Sequence, residues 1–249
     1  MSIVTVDAVS KKFGGREAVA PVSFSAAPGT ILGLVGSDGA GKTTLLRMIA
    51  TMLKPTTGSI FIKDLDVVRQ KAAVKPLIGY MPQRFGLYQD LTVDENMDFF
   101  MDIFGITGKQ RRSRKEFYLG FSNLHPFVDR LARDLSGGMK QKLGLACVLV
   151  HEPAVLILDE PTNGVDPVSR QEFWDILTQM RKEGMTILVS TAYLDEGEKC
   201  DRLMLMHNAQ LLAEASPQEL RLNFPDLETA MIHRIRAADK ALADERFNP

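Results

Sequence analysis

The stretch Thr30-Ile-Leu-Gly-Leu-Val-Gly-Ser-Asp-Gly-Ala-Gly-Lys-Thr-Thr44 governs how this chain is read. Thr30 to Val35 is a nearly continuous apolar run after the Pro28-Gly29 turn, which predicts a strand buried on both faces. Gly36 to Thr43 then fits the pattern G-x-x-x-x-G-K-[ST]. The amides of Gly36, Ser37, Asp38, Gly39, Ala40 and Gly41, with those of the helix start at Lys42 to Thr44, can cradle phosphates, because glycines let the backbone approach an anion closely. Lys42 is the candidate cation for the β- and γ-phosphates, and the Thr43 hydroxyl a candidate ligand for Mg²⁺. At average glycine usage four such fixed positions arise by chance in roughly 1% of chains this size, so a mere connecting turn is a poor explanation. A helix is expected from Lys42 to Leu53, closed by Pro55 and Gly58.

Farther along, Val155-Leu-Ile-Leu-Asp-Glu160 is an apolar strand ending in two carboxylates. Open α/β sheets place ligands at the carboxyl ends of their strands, which puts this pair beside the phosphate loop. Asp159 is expected to hold Mg²⁺, directly or through water, and Glu160 to orient or deprotonate an attacking water. Thr186 to Val189 and Leu203 to Met206 read as further strands, and Pro167 to Glu183 as a helix. Strands alternating with helices imply a mainly parallel, helix-covered sheet.

Upstream, Ile3 to Val6 and Ala18 to Phe24 read as strands, the second placed at a sheet edge by Pro21. Helical patterns run over Val93 to Phe104, Arg111 to Phe121 and Gly138 to Val150. The chain thus divides into a core of residues 1–83 and 151–224, an inserted helical subdomain of 84–150, and a helical tail or linker of 225–249.

Composition narrows the class. The 249 residues carry 30 Lys plus Arg against 31 Asp plus Glu, and a net charge of −1 argues against a dedicated nucleic-acid binder. The basic run Arg111 to Lys115 is expected to be a solvated helix face. The longest apolar stretch, Leu143 to Val150, is far shorter than the roughly 20 residues that span a bilayer. No secretory signal is visible, and Cys147 and Cys200 form no disulfide or C-x-x-C pattern, so a reduced, cytosolic setting is expected.

Leu135-Ser-Gly-Gly-Met-Lys-Gln141 lies between the phosphate loop and the acidic pair. Ser136, Gly137 and Gly138 open a helix whose positive end and bare amides can approach an anion. With this segment the chain resembles the ATP-binding domain of ABC transporters, whose hallmark is an L-S-G-G-x-x-Q signature in this order along the chain. The resemblance covers Ile3 to about Ile232. It implies a P-loop NTPase fold with an N-terminal antiparallel β region, ATP and Mg²⁺ as cofactors, and ATP hydrolysis. It implies that Phe13 stacks on adenine, that Gln83 in Gly79-Tyr-Met-Pro-Gln83 senses Mg²⁺ and the γ-phosphate, and that Asp166 in Gly164-Val-Asp-Pro167 reaches the opposing cassette. A second cassette is the implied partner, its site completed by Ser136 to Gly138. A membrane permease is the other, docking near Gln83 over Phe85, Leu87 and Tyr88, unless those residues are plain packing. The implied location is the cytoplasmic face of the inner membrane. The segments Gly79 to Tyr88, Gly164 to Pro167 and Tyr193 to Glu196 look most like ABC-2 type exporters, some of which carry two cassettes on one polypeptide and include multidrug exporters.

The chain departs from that family at one point of chemistry. Where the family has its switch histidine, this sequence reads Ser190-Thr-Ala-Tyr193. His125, His151, His207 and His233 stand in other contexts. Loss of one preorganised contact to a transition state costs about 3 kcal/mol, so normal ATP binding with slow hydrolysis is expected. Asp38 also adds a negative charge near the phosphates, which is expected to weaken affinity modestly.

Overall fold

In the computed structural model, which describes residues 2–247 with side chains as far as residue 240, the strands divide into two sheets. The chain opens with β1 (Val4–Phe13), β2 (Arg16–Ala26) and β3 (Ile31–Gly36), followed by α1 (Lys42–Ile49). Next come β4 (Thr57–Ile62), β5 (Leu65–Asp66), the short α2 (Lys71–Val74) and β6 (Ile78–Met81). Three helices follow, α3 (Val93–Ile103), α4 (Gly108–Phe121) and α5 (Gly137–Leu149). The chain returns through β7 (Val155–Asp159), α6 (Pro167–Lys182), β8 (Thr186–Thr191) and α7 (Leu194–Gly197). It closes with β9 (Arg202–His207), β10 (Gln210–Ala215), α8 (Pro217–Leu220) and α9 (Leu227–Phe247). The last two residues of the expected tail lie outside the described residues.

The antiparallel sheet has the order β2-β1-β4-β5, which leaves Pro21 on an edge strand as expected. The larger sheet has the order β10-β9-β3-β8-β7-β6 and is parallel except for β10. Its central strands are buried on both faces, and the alternation of side chains explains why. Ile31 and Val35 of β3 and Leu156 and Leu158 of β7 enter one apolar cluster with α3 to α6. Leu32, Leu34, Val155 and Ile157 enter the other, with α1 and the antiparallel sheet. A strand shared by two cores has no polar face to show.

Several sequence boundaries are corrected. The helix expected to reach Leu53 stops at Ile49, because Thr51 takes a left-handed backbone (φ 61°) and the amides of Met52 and Leu53 turn back onto the Arg47 carbonyl at 2.9 and 3.1 Å. The basic run of α4 is a solvated face only at Arg112 and Ser113. Arg111 pairs with Asp98 and Asp102, and Lys115 with Asp94 and Asp98, which ties α4 to α3. Phe85 and Leu87 are packing residues, Phe85 stacked on Phe100 at 5.4 Å and Leu87 buried, while Tyr88 stays half exposed against Phe99. The fully buried Asn96 fastens this segment to α3 by accepting from the Tyr88 amide at 2.9 Å and donating to its carbonyl at 3.0 Å. Among the described residues no helix is long and apolar enough to cross a membrane.

Candidate active site

Strand register assembles the site. Leu34 and Val35 of β3 pair with Ser190 and Thr191 of β8, and Ser190 pairs in turn with Asp159 of β7. The loops leaving these strands therefore emerge side by side, carrying the phosphate loop, the acidic pair and Ala192.

Glycine is required at both ends of the phosphate loop by close backbone approach. A Cβ on Gly36 would fall 2.0 Å from the Met206 carbonyl oxygen, and one on Gly41 would fall 2.4 Å from that of Ala18. At φ 103° Gly41 also sits in the left-handed region as the N-cap of α1, aiming that helix start into the loop. The Lys42 ammonium is 4% exposed, donates to the Gly36 and Ser37 carbonyls at 2.8 and 3.2 Å, and lies 3.4 Å from the Glu160 carboxylate. A buried cation needs such partners, and an arriving phosphate can replace them.

The acidic pair is held from three sides. Thr43 Oγ1 and Ser190 Oγ donate to Asp159 Oδ1 at 2.8 and 2.9 Å. The Glu160 amide donates to the Ser190 carbonyl at 3.1 Å and to its hydroxyl at 3.0 Å. Gln83 Nε2 donates to Glu160 Oε2 at 3.0 Å. Glu160 itself has φ 48°, a conformation that costs a non-glycine residue roughly 1–3 kcal/mol and persists because its surroundings fix it. Ser190 was absent from the sequence-based candidates. The strand register brings it beside the acidic pair, where it donates to the Asp159 carboxylate and accepts from the Glu160 amide.

Asp159 Oδ2 is buried and has no hydrogen-bond partner, next to the Thr43 hydroxyl. One carboxylate and one hydroxyl form a hard oxygen set that suits Mg²⁺, which binds through few protein ligands and completes its shell with water and phosphate. The Tyr80 hydroxyl, also buried, faces Arg47 and Asp159, and burial pushes its pKa up.

These groups surround a cavity of about 370 Å³ that includes Asp38, Gly39, Lys42, Thr43, Gln83 and Glu160. A cleft of about 490 Å³ lies elsewhere, lined by Arg114, Phe117 and Glu152, and holds none of the motif residues. Phe13 is at the end of β1, 50% exposed, with the Lys11 ammonium 4.9 Å from its ring centre. Phe13, Ser136, Gly137, Gly138 and Asp166 do not line the phosphate-loop cavity. Ser136 caps α5 by accepting from the Met139 amide at 3.3 Å, and it and Gly137 are exposed. Asp166 caps α6, and the hydrogen bond from the Ser169 amide holds its carboxyl below the ordinary range.

Ala192 lines a separate space beside Ser37, Asp38 and Ile232 of α9. The four histidines are engaged elsewhere: His125 with Glu116, His151 against Phe104 and the Ile78 carbonyl, His207 with Asp239, and His233 beside Phe224.

Comparison with known proteins identifies the family. A family model described as "ABC transporter" matches residues 19–163. The chain is 49% identical over 221 residues to the "Probable multidrug ABC transporter ATP-binding protein YbhF" of Escherichia coli (strain K12), covering 88% of this chain but 38% of that protein. It is 38% identical over 218 residues to the "Nod factor export ATP-binding protein I" of Paraburkholderia xenovorans (strain LB400), covering 87% of this chain and 72% of that one. A solved "ATP binding subunit of ABC transporter" superposes with a TM-score of 0.84 at 25% identity over 94% of this chain and 99% of that chain. The motifs, the sheet that gathers them and these relatives agree: the chain is an ATP-binding domain and belongs to the ABC transporter family.

Proposed function

We propose that this chain binds ATP with Mg²⁺ and powers an ABC-2 type exporter by nucleotide-driven pairing with a second cassette. The observation that carries the reading is the split between its two sets of motifs. Lys42, Thr43, Glu160 and Gln83 line one cavity, with Asp159 bonded to Thr43 behind it, whereas Ser136, Gly137 and Asp166 are exposed and line none of it. A chain that carries both halves of a nucleotide site on different surfaces completes two sites by facing another cassette.

In this reading the loop amides and Lys42 hold the β- and γ-phosphates, and Phe13 stacks on the adenine once Lys11 yields its face. Mg²⁺, when bound at Thr43 and Asp159, neutralises charge developing on the phosphates. Glu160 sits between Lys42 and Gln83 with one oxygen toward each. Moving Lys42 onto phosphate frees Glu160 Oε1 to accept a proton from water, and Gln83 reports that change to its loop. Membrane docking is assigned to the surface beside Gln83, where Tyr88 is exposed. The location that follows is the inner face of the cytoplasmic membrane, and export of multiple drugs is the activity suggested by the YbhF resemblance. Residues 84–150 act as the helical subdomain and 225–249 as tail or linker.

Ala192 favours slow turnover at this chain's own site. The second reading is a hydrolysis-poor module that lends Ser136 to Gly138 to a competent partner cassette, and the same alanine supports it. Comparing the chain with Ala192→His tests the role that both readings give Ala192. Restored histidine is expected to raise ATP turnover by about 10²–10³-fold with ATP affinity nearly unchanged, the scale of one oxyanion-type contact. Equal turnover in both proteins would refute the assignment of Ala192 as the limiting substitution.

A further inference from the structure

Glu196, on α7, is 0% exposed and lines no part of the nucleotide cavity. A buried carboxylate is costly unless its oxygens are bonded, and both are. Thr162 Oγ1 donates to Oε1 at 2.6 Å, Thr191 Oγ1 donates to Oε2 at 2.5 Å, and the Arg170 guanidinium approaches Oε1 at 3.8 Å. These partners come from three segments. Thr162 follows the acidic pair, Thr191 ends β8 beside Ala192, and Arg170 belongs to the start of α6. Arg170 is held further by Asp195 at 3.0 Å and by the Tyr193 ring, 4.6 Å from its guanidinium carbon.

The start of α6 is in turn wedged against the signature helix. Gly138 lies so close to Ser169 that a Cβ there would fall 2.3 Å from its side chain. Lower on the same pair of helices, the buried Lys142 of α5 donates to Glu172 of α6 at 2.7 Å. Contact is therefore continuous from the Glu160–Thr162 segment and Thr191, through Glu196 and Arg170, to α6 and on to α5.

We propose that Glu196 is a positioning residue that couples this chain's nucleotide cavity to its own signature loop, so that ATP bound on one side alters the loop offered to another cassette. The proposal rests on the ATP-binding reading above. Glu196 acts through Arg170 and the two threonines, and the physical requirement is that these contacts move together.

The test is amide hydrogen exchange over residues 136–142, with and without ATP and Mg²⁺, at concentrations where sedimentation shows a monomer. ATP affinity is measured separately by fluorescence titration. In the parent chain ATP is expected to change exchange at 136–142 by about tenfold, within the range of couplings carried by contact networks. Glu196→Gln is expected to bind ATP as the parent does and to lose that change. Thr162→Val should behave the same way, and Thr162→Ser, which keeps the hydroxyl, should retain the response. If Glu196→Gln does not fold, the Thr162 pair decides. An unchanged response in Thr162→Val and Glu196→Gln, or ATP affinity falling in step with it, would overturn the proposal in favour of a purely structural role. A parent that binds ATP with no change at 136–142 would overturn it alone. A parent that does not bind ATP would overturn the functional reading and this inference with it.

Discussion

Lys42 and Asp159 are buried and bonded within the chain, whereas Ser136, Gly137 and Asp166 lie at the surface, the side chains of Ser136 and Asp166 spent on capping helices. Both regions begin a helix with glycine, yet their construction differs. The phosphate-loop end is a preassembled charge site in which the Lys42 ammonium already has partners in the Gly36 and Ser37 carbonyls and the Glu160 carboxylate. The signature end is a shaped edge whose own contacts serve the fold. Substitutions at the first should act on nucleotide binding, and substitutions at the second on folding or on pairing.

The largest effect is expected at the first region. Lys42→Ala removes one member of a buried charge pair and the cation for the phosphates, so ATP affinity should fall by about 2–5 kcal/mol, measured by titration calorimetry. At the second, Gly138→Ala forces a methyl group into Ser169, and denaturant unfolding should show a loss of about 1–3 kcal/mol. ATP affinity of the monomer should stay nearly constant. A Gly138→Ala protein that folded normally but bound ATP poorly would erase the distinction between the two regions.

How much of this was legible in the sequence follows from what each element depends on. The strand into the phosphate loop, the acidic pair and the edge strand with Pro21 rest on local pattern, and the structure places them as read. β4, β6 and β10 were not recognised. β4 opens with Thr57-Gly58-Ser59 and is stabilised by pairing with β1, far away in the chain, while β10 is a half-exposed edge with weak alternation. β6 is only Ile78 to Met81, and its Gly79 fits because Val148 and Pro153 crowd that face. Ser190 and Glu196 act through partners on other strands and helices, so spacing alone could not expose them.

The smallest effect concerns the cap of α6. The Ser169 amide bonds the Asp166 carboxylate and lowers its pKa from the ordinary 3.8. The folded state therefore binds this proton less readily than the unfolded chain. The cap's contribution is full above the unfolded value and is lost as pH falls through the lower, folded one. The difference in thermal midpoint between the parent and Asp166→Ala should be present at neutral pH and should shrink as acid brings the pH below about 4.

Sedimentation of the Glu160→Gln protein with ATP and Mg²⁺, alone and with Gly137→Arg added, tests most directly whether one chain carries two half-sites on separate surfaces. The account predicts an ATP-dependent dimer that Gly137→Arg abolishes, while the remaining monomer binds ATP with unchanged affinity. A dimer that survives Gly137→Arg, or ATP binding that disappears with it, would contradict the account.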